Sequence, residues 1–248
     1  MKIENMRQQH TNLIEDVPTP LAAEAKPKEK QEYGIVTVSM GSGIADLFRS
    51  IGAHAVIEGG QTMNPSTEDI VKAIKEVNAK KVIILPNNKN IIMAAQQAAE
   101  VTEEEAVVVP SKTVPQGMAA LLAFNPSAGL AENEEGMTGA LQHVKTGQIT
   151  FAVRDTSIDG LEIEKDDFMG ITDGKIVVKN KDRVQAAKDL LDGMIDEDSE
   201  ILTVLKGEDA AEEEMEALIS YIEDKYEGIE VEVHDGKQPL YSFIFSIE

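Results

Sequence analysis

Glu32 to Gln61, EYGIVTVSMGSGIADLFRSIGAHAVIEGGQ, is the stretch of this 248-residue chain whose pattern decides the fold. An apolar run from Ile35 to Met40 ends at Gly41-Ser42-Gly43. A helical pattern follows (Ile44, Leu47, Phe48, Ile51), and Gly52 leads back to a second apolar run, Ala55-Val56-Ile57. Strand, turn, helix and strand in that order build a parallel sheet. In an open sheet of this kind, the loops after the strand ends form the crevice where ligands or partners sit. Two such loops are visible here, Met40 to Gly43 and Glu58 to Ser66.

The same unit repeats downstream. Ile70, Val71, Ile74 and Val77 recur at helical spacing over Glu68 to Val77, with Ser66 or Thr67 as the N-cap. Lys81 to Leu85 is a buried strand stopped by Pro86, and Asn87-Asn88-Lys89-Asn90 makes the next strand-end loop. Ile91 to Val101 is a helix rich in Ala and Gln, and Ala106 to Val109 a fourth strand stopped by Pro110. The repetition continues through Phe124 and predicts an α/β lobe with a mostly parallel sheet.

The texture changes at Asn125. Pro126 to Gly129 is a breaker, and Glu132 to Val144 predicts a crossing helix. Gly147 to Thr156 predicts a strand, and Ile158 to Val178 predicts antiparallel hairpins around Gly160, Gly170 and an Asp173-Gly174 turn. A helix over Arg183 to Leu191, a strand over Ile201 to Leu205, an acidic helix over Asp209 to Lys225 and strands over Ile229 to His234 and Tyr241 to Ile247 complete an α+β lobe. The expected division is therefore an α/β lobe over 33–125 and an α+β lobe with antiparallel strands over 126–248. Residues 1–32 stand apart: 1–12 resemble the trailing end of an upstream domain, and 13–32, with Pro18, Pro20 and Pro27 among Ala, Glu and Lys, have linker composition.

Composition narrows the function classes. With 45 acidic against 23 basic residues the net charge is −22, which argues against nucleic acid or an anionic membrane as partner. The charge serves solubility or speeds encounter with a basic protein surface. There is no cysteine, so disulfides and thiolate chemistry are excluded and a reducing, cytoplasmic setting is the default. The longest apolar runs have strand length, too short for a membrane span, and the start of the chain has no secretory core.

The motifs carry little catalytic chemistry. Gly41-Ser42-Gly43 could hold an anion at a helix N-terminus. It matches neither the dinucleotide fingerprint nor a P-loop, and a tight strand-to-helix turn explains the glycines equally well. His10, His54, His143 and His234 are scattered without metal-ligand spacing, and Ser42 lacks the context of a hydrolase nucleophile. The acidic series from Asp192 to Glu216 is the most distinctive charge feature. Met215, Leu218, Ile219 and Ile222 form an apolar stripe on its helix, so Glu212, Glu213 and Glu216 lie on the solvent side, as a solvated face or as a docking surface for a basic partner.

Three stretches together, 33–70 (YGIVTVSMGSGIADLFRSIGAHAVIEGGQTMNPSTEDI), 82–99 (VIILPNNKNIIMAAQQAA) and 236–248 (GKQPLYSFIFSIE), resemble the C-terminal region of the catalytic subunit of bacterial fatty acid kinase, the dihydroxyacetone-kinase-like (YloV-like) proteins. In that family an N-terminal kinase domain binds ATP and magnesium and a middle domain carries catalytic residues. The C-terminal part engages a separate fatty-acid-binding protein that presents the acyl carboxylate for phosphorylation. The opening IENMRQQH is similar to the end of the middle domain. The resemblance therefore implies no catalytic residue and no cofactor in this chain, ATP and magnesium belonging to the kinase domain.

The C-terminal part of that family resembles in turn the DegV fold of its fatty-acid-binding partner. DegV-like binders hold a lipid carboxylate with hydroxyls from a Thr-Ser-Gln-Pro-Ser loop and a later Ser/Thr-rich stretch. This chain has Thr62-Met63-Asn64-Pro65-Ser66 and Leu85-Pro86-Asn87-Asn88-Lys89-Asn90 at those points, so most of the hydroxyl donors are missing. A buried carboxylate without donors is disfavoured. The expectation is a docking module for the DegV-fold fatty-acid-binding protein, with Gly41, Ser42, Gly43, Thr62, Asn64, Ser66, Glu212, Glu213 and Glu216 as candidate contacts and homodimerisation left open. The alternative is an independent lipid or small-molecule binder that uses the cleft between the lobes, with Ser42, Asn64, Ser66 and Asn87 as polar anchors.

Overall fold

Apolar side chains alternate along the first strands and send one set to each face of a four-stranded sheet. This computed structural model describes residues 29–248 apart from Gln61 and Asp159, so the expectations for 1–28, His10 included, fall outside the described residues. The first sheet has the order β2-β1-β3-β4, formed by β1 (Gln31–Ser39), β2 (Ala55–Glu58), β3 (Ala79–Leu85) and β4 (Glu105–Val108). All its pairings are parallel. Val36, Val38, Val82 and Ile84 point to one face, where they pack on Ile70 and Ile74 of α2 (Thr67–Val77) and on Ala95 and Ala98 of α3 (Ile92–Val101). Ile35, Ile83 and Leu85 point to the other, against α1 (Ser42–Ser50), α4 (Val114–Leu122) and α5 (Leu130–Ala140).

The second sheet has six strands in the order β11-β10-β12-β5-β8-β9. They are β5 (Lys145–Phe151), β8 (Phe168–Thr172), β9 (Lys175–Asn180), β10 (Ile201–Lys206), β11 (Glu230–Asp235) and β12 (Phe243–Ile247). Only β10 and β11 run parallel, joined across α7 (Glu212–Lys225). Phe243, Phe245 and Ile247 turn toward α7 and α6 (Arg183–Met194), whereas Ile244 and Leu205 turn the opposite way and join the core under the first sheet. Each such buried side chain contributes about 1.5–3 kcal/mol. The hairpins form as the glycines indicate: β6 (Thr156–Ile158) pairs with β7 (Leu161–Ile163), and β8 with β9 through Asp173 and Gly174, both at positive φ (50° and 74°).

Several boundaries differ from the sequence expectation. The strand expected to reach Thr156 stops at Phe151, because Ala152 N–H donates to the Asp167 carbonyl and Asp166 N–H to that of Ala152, which turns the chain out of the sheet. The crossing helix starts at Leu130 and ends at Ala140, giving way to a 3-10 turn over Leu141–His143. The acidic helix begins at Glu212 instead of Asp209, since the Asp209 carboxylate is held by Arg183 at 3.2 Å and by the Ser242 hydroxyl at 2.9 Å. The break at Asn125 is a tied corner. Asn125 exchanges hydrogen bonds of 2.8 and 2.9 Å with the Asn133 side chain, and the Tyr33 hydroxyl donates to the Ala128 carbonyl at 2.7 Å.

Candidate functional site

The carboxyl ends of β1, β3 and β4 open on a cleft of ≈ 590 Å³ between the two sheets. One wall comes from the strand-end loops, with Met40, Asn88, Lys89 and Lys112. The other comes from the second sheet, with Gln148, Ile171 and the segment from Gln238 to Tyr241. The volume falls in the range of small-molecule sites.

Asn87 closes the floor. Its backbone is left-handed (φ 56°), its Nδ2 donates to Thr37 Oγ1 and to the Val38 carbonyl at 2.8 Å each, and its Oδ1 accepts from the Ser111 hydroxyl at 2.7 Å. The fit leaves no space at Gly117 of α4, where a Cβ would lie 1.9 Å from Asn87 Oδ1. Asn87 lines the cleft, but its amide is spent on the protein's own groups.

The glycine turn is explained by close packing. Gly41 has φ 103°, and a Cβ there would sit 2.6 Å from the Gly236 carbonyl oxygen. At Gly43 a Cβ would sit 1.8 Å from the Asp235 carbonyl oxygen. The third amide of α1, Ile44 N–H, donates to the Gly236 carbonyl at 3.1 Å. One amide of the helix end that could have received an anion is thus taken by a carbonyl from the second sheet. Ser42 itself is exposed.

The other candidates fall in two places. Thr62, Asn64 and Ser66 are all exposed, and none lines the cleft. Ser66 caps α2 in a reciprocal pair with Asp69, and those hydrogen bonds hold the Asp69 carboxyl below its ordinary pKa. Among the cleft anchors Ser42, Asn64, Ser66 and Asn87, the structure brings only Asn87 to the cleft. Glu213 and Glu216 are exposed on α7 with no ion pair among the described residues. Glu212 bonds Lys206, raising its pKa. A chain of bonds then connects helix and turn: the Lys206 carbonyl accepts from Lys237 N–H at 3.0 Å, and neighbouring Gly236 accepts from Ile44. Gly41 to Gly43 and the start of α7 are thus linked through β10 and the turn after β11, while the helices themselves pack on opposite faces of the second sheet; Asp46, Asp235, Glu213 and Glu216 are all exposed, Asp46 paired with Arg49 and Asp235 3.9 Å from Lys237.

Sequence reasoning missed the partner of that turn, Asp235 to Gln238, and also Ser111 and Gly117 behind Asn87. Gly236 between charged residues was the one signal available. Among the described residues no group of three or more His, Asp or Glu side chains could hold a metal ion. No helix among them is long and apolar enough to cross a membrane.

Comparison with known proteins places this geometry. Protein YloV of Bacillus subtilis (strain 168) is 62% identical over 248 residues, which cover 100% of this chain and 45% of that protein, so the chain spans about half the length of the curated relatives it matches. In fold it is similar to a DegV family protein of Corynebacterium glutamicum, with a TM-score of 0.63 at 17% identity over 88% of this chain and 97% of the other. It is also similar to the fatty acid kinase (Fak) B3 protein of Streptococcus pneumoniae, which was solved loaded with linoleic acid, with a TM-score of 0.57 at 11% identity over 88% and 99%. The fold is thus the DegV fold, a parallel α/β lobe followed by a mixed lobe. Residues 34–248 match the model of one family, and the chain belongs to it: the C-terminal region of FakA-like fatty acid kinase proteins.

Proposed function

We propose that this chain is the docking domain of a fatty acid kinase. It binds a fatty-acid-binding protein of DegV fold so that a kinase domain upstream, using ATP and magnesium, can phosphorylate the carboxylate of the bound fatty acid to an acyl phosphate. The chain itself supplies no catalytic group in this reading. The observation that carries it is the pair Glu213 and Glu216 at the start of α7, exposed and without an ion pair among the described residues, in a chain with 45 acidic against 23 basic residues. Acids placed in this way speed encounter with a basic surface and set its orientation more than they add affinity.

The test is a titration of the chain against the acyl-loaded partner at low and high salt, with the wild type and a Glu213→Lys/Glu216→Lys variant. Binding should weaken with salt, and the variant should lose at least tenfold at low salt. An absence of binding in both conditions refutes the proposal. The cleft volume of ≈ 590 Å³ favours a second reading, an independent lipid or small-molecule binder. Native mass spectrometry of the purified chain separates the two, since co-purified fatty acid supports the second.

A further inference from the structure

Helices α2 and α3 leave between them an open groove of ≈ 600 Å³ on the outer face of the first lobe, lined by Val71, Val101 and the stems of Lys72 and Lys75. Its surface is mostly carbon, and Val101 is 66% exposed. A lone exposed valine is ordinary. What gives the groove meaning is the place where the chain enters the fold.

Lys30 and Gln31 stand at one end of it. Gln31 donates from its backbone N–H to the Asn78 carbonyl at 3.1 Å and from its side chain to the Val77 carbonyl at 3.0 Å, directly after the groove residues Lys75 and Glu76. Lys30 pairs with Glu104 at 2.9 Å, in the turn that follows Val101 and the end of α3. The chain is thus fastened at the carboxyl ends of both helices, and every residue upstream is tethered at this point.

The tether selects the occupant. Leu21 stands nine residues before Lys30, a reach of roughly 30 Å for an extended chain, whereas the 11 residues of α2 rise only about 16 Å. Val17 and Leu21 are the first apolar side chains upstream of Lys30 larger than alanine or proline, and Pro18 and Pro20 between them restrict the free chain, so ordering it loses less entropy. A tether this short holds the segment at an effective concentration on the order of millimolar, above what a second copy or a separate protein reaches in dilute solution. Charge agrees: Lys75 has no ion pair among the described residues, and Glu24 lies between Leu21 and the tether, on the side where Lys75 lines the groove. We propose that residues 17–21 of this chain dock in the groove between α2 and α3, with Leu21 against Val71 and Val101 and Glu24 facing Lys75. The chain upstream then leaves the domain along α2, on the face of the first sheet turned away from α1 and α4.

Because the whole chain has no cysteine, an introduced pair of thiols reports on this contact alone. Leu21→Cys is combined with Val101→Cys or, as control, with Leu122→Cys. Leu122 is 67% exposed close to Phe124, which packs on Tyr33 of β1, so the control sits near the same end of that strand on the opposite face. Under copper–phenanthroline oxidation of dilute protein, the internal disulfide should form roughly tenfold faster with Val101→Cys than with Leu122→Cys. Hydrogen exchange gives a second readout: the amides of Leu21, Ala22 and Ala23 should exchange roughly threefold slower in the wild type than in Val101→Asp, a change at an exposed position. Equal crosslinking rates, a disulfide that joins two chains in place of the internal one, or exchange that Val101→Asp leaves unchanged overturns the proposal. The groove belongs to the first lobe and α7 to the second, so Val101→Asp should bind the acyl-loaded partner as the wild type does, and the two proposals fail separately.

Discussion

Gly43 and Asp235 meet backbone to backbone: a Cβ on the glycine would stand 1.8 Å from the aspartate's carbonyl oxygen. The two sheets are joined at this point by an approach that no side chain would permit, next to the Ile44 to Gly236 hydrogen bond. The glycine that resembled part of an anion-binding turn is the place where the second lobe leans on the first.

Gly43→Ala should therefore strain the junction. Overpacking of this kind costs about 1–3 kcal/mol, which in a domain of this size lowers the melting temperature by about 2–4 °C per kcal/mol. Gly139→Ala makes the control, because in α5 its Cβ meets nothing within 4 Å and alanine favours the helix. Thermal unfolding should show the first variant melting lower and the second unchanged or higher. Equal melting of the two would contradict the packing explanation.

Asn87 gives a second test. Asn87→Ala removes the side-chain bonds to Thr37 Oγ1, the Val38 carbonyl and the Ser111 hydroxyl in a buried place, although Thr37 keeps the Leu85 carbonyl and Ser111 the backbone N–H of residue 87, at a cost of about 2–3 kcal/mol. The left-handed backbone, φ 56°, adds to it. Gly117→Ala reaches the same atoms from the other side, since its Cβ would displace Asn87 Oδ1. Denaturant unfolding should find that the double variant loses less than the sum of the single losses, because both act through one contact. Simple additivity would mean that the two sites are independent.

The parallel half of the fold was legible because each strand carries its own punctuation. Pro86 and Pro110 follow β3 and β4, and Ser66 caps α2 with Asp69 three residues on. The second sheet was legible only as a set of elements. Nothing local in Phe243–Ile247 says that it inserts between β5 and β10 and runs antiparallel to both, since that depends on residues far away in the chain. The same limit applies to the site. The exposure of Glu213 and Glu216 follows from helical periodicity against Met215, Leu218 and Ile222, whereas the contact between Gly41 to Gly43 and Asp235 to Gln238 has no local signature.

Asp192 fastens α6 to α7. It accepts from the Tyr221 hydroxyl at 2.8 Å, from Lys225 at 2.6 Å and from the Tyr226 hydroxyl at 2.5 Å. Burial pushes its pKa up, yet these donors outweigh burial and the carboxyl titrates below its ordinary value. Burial first, and then the adjacent carboxylate, push the Tyr226 hydroxyl up to about 12. Asp192→Asn removes the second of these causes. Spectrophotometric titration of the phenolate band should show the highest tyrosine midpoint falling in the variant while staying above the ordinary value, with burial still acting. An unmoved midpoint would mean that the carboxylate does not act on Tyr226.

His54 should set the response to mild acid. Its Nδ1 accepts the Ile35 N–H at 3.1 Å, and its own backbone N–H donates to the Ile35 carbonyl at 2.9 Å, so the residue pairs with β1 just before β2 begins. Partial burial of the ring lowers its pKa below the ordinary 6.5, and a proton on Nδ1 would remove the acceptor that Ile35 uses. With a depressed folded-state value, the unfolded chain takes up its proton first as pH falls, so stability present above pH 6.5 is lost as pH descends through the folded-state pKa. The carboxylates with lowered pKa values, Glu32, Asp69 and Asp167 among them, lose their contribution only in stronger acid, below their own ordinary values. Unfolding free energies measured from pH 8 down to about pH 5 should therefore decline in the wild type, and decline less in His54→Asn, which cannot titrate in that window. Parallel curves for the two proteins would assign the mild-acid response to another group.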